Sequence, residues 1–114
     1  MIKKNKEANN GKLASGMAYC KVILLKNTGK DVFPEAIDFL KSYPNADFEY
    51  IKGAIEIARE GIPFDKPDLV KDYYNMLMIL AIKQPDTQDR LKVIGFIINE
   101  KKKLEIIMPE IKIQ

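Results

Sequence analysis

Proline and glycine divide this chain before any other feature does. Stop signals fall at Asn27-Thr28-Gly29, at Pro44, at Gly61-Ile62-Pro63, at Pro85 and at Pro109. Proline lacks the amide proton that a helix interior needs, and glycine readily takes the left-handed conformation on which many helices end. Between the stops, apolar residues recur every three or four positions, the period of an α-helix with one buried face.

Leu13, Met17, Cys20 and Leu24 make the first such stripe, and Gly29 suits its cap. Val22-Ile23-Leu24-Leu25 is also a short apolar run, so a strand over 19–26 competes with the helix. Asp31 is placed to cap a second helix carrying Phe33, Ile37 and Leu40. Asn45 is placed to cap a third, with Phe48, Ile51, Ile55 and Ala58, closed by a left-handed Gly61. Asp65 and Pro67 open a fourth that runs to about Gln84. Asp86 or Thr87 opens a fifth that reaches at least Lys103.

Short connections between such segments favour antiparallel neighbours. The expected fold is therefore all-α: one compact domain of about five helices over 13–114. Residues 1–12, polar and lysine-rich, read as a disordered basic N-terminal arm. The alternating tail at 110–114 reads as a short extended segment.

Several chemistries are excluded or disfavoured by residue type. The chain has no histidine and a single cysteine, Cys20. The usual triads and zinc sites therefore lack their ligand or base, and no internal disulfide forms. Gly29-Lys30 superficially resembles the end of a phosphate loop. That motif needs a glycine five residues earlier and a hydroxyl next, where this chain has Leu24 and Asp31. Asp65, Asp68 and Asp72 gather near the start of the fourth helix, but acids there already complement the helix dipole. Cys20 lies on the apolar stripe and reads as a buried packing thiol. No cofactor or metal is expected. The run at 22–25 is flanked by lysines and lacks a cleavage site, and no stretch is long enough to span a membrane. The expected compartment is the cytoplasm.

Two segments stand out. In the fourth helix, "MLMILAI" at 76–82 is apolar all round. Such a helix is either the surrounded centre of a bundle, or it offers Met78, Ile79 and Ile82 to another chain. In the fifth, Lys92, Phe96, Asn99 and Lys103 fall on one side with Lys102 nearby, a pattern that suits phosphates and an unpaired base. Both ends of the chain are basic, while residues 31–86 carry eleven acids against six bases. A helix-turn-helix over 34–60 fails on this ground, because its second helix would bring net negative charge to the major groove. The leading expectation is a non-enzymatic module that binds another protein or a second copy of itself. Nucleic-acid binding through the basic face and the arm is the alternative.

Overall fold

The computed structural model describes the backbone of residues 2–112 and the side chains of residues 13–111. Five α-helices run in order: α1 (Ile2–Asn27), α2 (Phe33–Ser42), α3 (Phe48–Glu60), α4 (Pro67–Ile82) and α5 (Leu91–Ile107). Short 3-10 turns occupy Gln88–Arg90 and Pro109–Lys112. There is no strand among the described residues, so 19–26 is helical and the fold is all-α. The arm expected over 1–12 falls where the side chains lie outside the described residues.

The helix stops act largely as their chemistry dictates. Gly29 has φ +78 and its amide donates to the Lys26 carbonyl at 3.0 Å, a left-handed cap. Asp31 Oδ1 accepts from the Phe33 amide at 3.1 Å and so steers the chain into α2. Other stops differ from expectation. Gly61 has φ −102, right-handed, and its amide instead doubles back on the carbonyls of Ile57 and Ala58. A Cβ there would sit 3.5 Å from Phe33 Cβ, an ordinary contact. Asp47, not Asn45, precedes α3, and Lys66, not Asp65, precedes α4. The tail is not extended over 109–112. It turns because Ile111 is buried against the core, and its amide donates to the Met108 carbonyl at 3.0 Å.

Packing follows from the buried faces. α2 packs on α3, α3 on α5, α5 on α4 and α4 on α2, so four helices close a ring. α1 lies outside that ring, against α2 and α3. The core within it includes Leu40, Ile51, Ile55, Val70, Tyr73, Leu77, Val93 and Ile97, all essentially inaccessible. The molecule is 18 Å across its thinnest axis, room for two layers of helices about 10 Å thick.

A polar clip ties the α2–α3 turn to the end of α4. Arg90 donates to Gln84 Oε1 and to the Ala46 carbonyl, while Gln84 donates to the carbonyls of Pro44 and Leu80. These bonds satisfy a buried amide and two loop carbonyls at once.

α1 is fixed to the ring by an aromatic row. Tyr43, Phe39, Tyr19 and Tyr50 follow one another at centroid distances of 5.5, 5.8 and 5.0 Å. The Tyr19 ring enters the space left by the missing side chain of Gly53 on α3. Alanine ordinarily improves a helix by about 1 kcal/mol over glycine. At position 53 the sign should reverse. Gly53→Ala is expected to lower stability by about 1–2 kcal/mol in urea unfolding, because Tyr19 must leave its two ring partners.

Candidate functional site

α4 is amphipathic only over its first half. Its inner face buries Val70, Tyr73, Leu77 and Leu80. Its outer face emerges at the C-terminal half with Met78 40%, Ile79 52% and Ile82 79% exposed. The helix is therefore not the surrounded centre of a bundle. Two layers leave each helix with one side open, and here that side is apolar.

The surroundings extend this face. Tyr74 donates to Glu105 at 2.7 Å, and Lys101 Nζ stands 5.3 Å from the Tyr74 ring centroid. Gln84 and Arg90 meet at the other end, so α4 and α5 run antiparallel. That register sets Met78 and Ile82 level with half-buried Ile94 and exposed Ile98, with exposed Leu91 beyond. On the other flank, a groove of about 250 Å³ lies between α2 and α4. Leu40, Pro44, Met76, Ile79 and Leu80 line it, with Lys41 and Lys83 also at its walls. Lys41 already pairs with Asp72 at 3.3 Å.

The basic side of α5 is arranged differently. Phe96 is half-buried and packs edge-on against Phe48 of α3 at 6.0 Å, while Lys92 Nζ stands 5.2 Å from the Phe48 centroid. The ring that the sequence offers to a base thus has one neighbour, Phe48, within the protein. Asn99, Lys102 and Lys103 are exposed. Lys103 Nζ is 3.9 Å from Glu100.

Glu100 was not legible from the sequence. It is 3% exposed beneath α5, and its carboxylate accepts from Arg59 of α3. A buried carboxylate needs such a partner, because its desolvation otherwise exceeds what the fold can supply. Tyr73 adjoins the pair, and burial, together with the Glu100 charge, pushes its hydroxyl far above the ordinary tyrosine range. The space bounded by Arg59, Tyr73, Glu100 and Lys103 measures about 40 Å³. That admits a water molecule or so, not a substrate. The cluster holds α3 to α5.

Among the described residues no group of three or more His, Cys, Asp or Glu could hold a metal ion. No helix there is long and apolar enough to cross a membrane. Cys20 corrects expectation: it is exposed, because the stripe Leu13, Met17, Cys20 and Leu24 faces away from the ring. Comparison with protein-family models, with curated proteins and with solved structures finds no match.

Tyr73 provides a pH test. Its raised pKa means that the unfolded chain loses this proton first as pH rises, so the stability linked to it is complete below about pH 10 and declines above. In an alkaline absorbance titration, Tyr73 should give a step well above the ordinary tyrosine range, or ionise only with unfolding. Tyr73→Phe should remove that step.

Proposed function

We propose that the protein acts without catalysis, by contact with another protein through the outward face of α4. The observation that carries this reading is the exposure of Ile79 and Ile82 beside an apolar groove. Singly exposed apolar residues are ordinary, but a joined set on one face marks a binding surface. The groove accepts a large apolar anchor, and Lys83 at its wall favours an acidic residue beside that anchor. Met78 adds a side chain that adapts to partners of different shape.

A non-enzymatic role accords with a chain that has no histidine and a 40 Å³ buried ionic cluster. The proposed compartment is the cytoplasm, in keeping with a single unpaired cysteine. The groove face takes precedence over nucleic acid because Phe96 is already packed on Phe48.

The experiment is co-purification from the native host with the unaltered chain and with Ile79→Glu and Ile82→Glu. Both variants should keep the parent circular dichroism and melting temperature within a few degrees, since neither side chain is in the core. A bound protein should be lost at least 10-fold in each. Retention of every partner by both variants would refute the assignment, as would a partner set displaced by short RNA or DNA.

A further inference from the structure

We propose that α1 is the seam of a symmetric homodimer, paired antiparallel with α1 of a second copy. The argument begins with a helix that has two apolar faces. One face, with Val22 buried and Ala18, Tyr19, Ile23 and Leu25 partly buried, packs on α2 and α3. Ser15 is buried on the same side. At 100° per residue, Leu13, Met17, Cys20 and Leu24 fall opposite. There Leu13, Met17 and Leu24 are 62, 64 and 66% exposed. A helix that is apolar on both sides calls for protein on both sides.

The spacing identifies the occupant. Steps of four, three and four residues are those of a coiled-coil seam. The series also reads the same in both directions, about a point between Ala18 and Tyr19. Two copies laid antiparallel about that point set each Leu13 against the partner's Leu24. They also set each Met17 against the partner's Cys20, a long side chain against a short one. A face that matches its own reverse is what a two-fold interface requires.

The flanks agree. Tyr50 of α3 reaches the edge of the seam beside Gly16, its hydroxyl 3.4 Å from where a Gly16 Cβ would stand. The two-fold brings this edge of one copy beside the same edge of the other, adding a Tyr50 from each. The other edge carries Lys21, next to Glu35 and Asp38 of α2 across a shallow cleft. The two lysines brought together on that edge therefore meet acids from both copies. Seam and Tyr50 amount to roughly half the ~800 Å² per partner of a standard interface, which places this dimer among weak, concentration-dependent ones. This surface is separate from the α4 face, so either assignment can fail alone.

The single cysteine supplies the test. The two Cys20 residues should lie about 5 Å apart along the seam. A bismaleimide of about 8 Å reach should then convert the intact protein at 50 µM to a covalent dimer. Light scattering should show dimer at high concentration and monomer on dilution. Met17→Glu should give a folded monomer at 50 µM, with Leu13→Glu as the second variant should the first fail to fold. Ile82→Glu should remain dimeric. For direction, chains carrying C20S with L13C and C20S with L24C should cross-link to each other and not to themselves. Like positions stand about 16 Å apart in the antiparallel register.

A monomer at every concentration would overturn the proposal. So would dimers that survive Met17→Glu and Leu13→Glu, dimers lost only with Ile82→Glu, or self-cross-linking of the L13C chain.

Discussion

Four helices of ten to seventeen residues can enclose one core between two layers, and no more. That limit governs the rest of the molecule. With 18 Å of thickness, every helix has a side that the chain itself cannot cover. Apolar residues beyond what the inner faces use must then stand in the open, and in this chain they do so together. The outer halves of α4 and α5 present one such set, and α1, excluded from the ring, presents another.

The polar interior follows the same economy. Two loops are joined by a single arginine and a single glutamine, and two helices by one arginine and one glutamate. Each pair leaves no buried side-chain donor or acceptor unmatched among the described residues. Removing one member leaves the other stranded, which is why these few contacts matter more than the exposed pair Lys26–Glu60. They also keep the α2–α4 groove in shape, since Pro44 lines it and accepts from Gln84.

Elements were more legible in the sequence than faces were. Proline and glycine act locally, so Pro44, Pro85 and Gly29 mark helix ends wherever the helices pack. Periodicity locates a stripe but does not say which side of it the fold lies on. In α1 the stripe of large residues faces out, while smaller Ser15 and Ala18 join Val22 on the packed side. In α4 the all-round apolar half admitted two placements, and Met78, Ile79 and Ile82 are the open side of a layer. Glu100 escaped notice because a charge in a lysine-rich run reads as solvated. Its burial depends on Arg59, forty-one residues away. Phe96 stands out in the sequence as a ring beside lysines, but its partner Phe48 lies on another helix and periodicity does not name it.

The keyhole at Gly53 has a consequence for α1 as a whole. A smooth helix laid on α2 and α3 would have several nearly equivalent resting positions one turn apart. The Tyr19 ring admits one, because the neighbouring residues on α3 all carry side chains. Rotation of α1 about its own axis is arrested along with its sliding. A missing methyl group on one helix thus aims the far side of another, much as a keyed shaft holds a blade at a fixed angle.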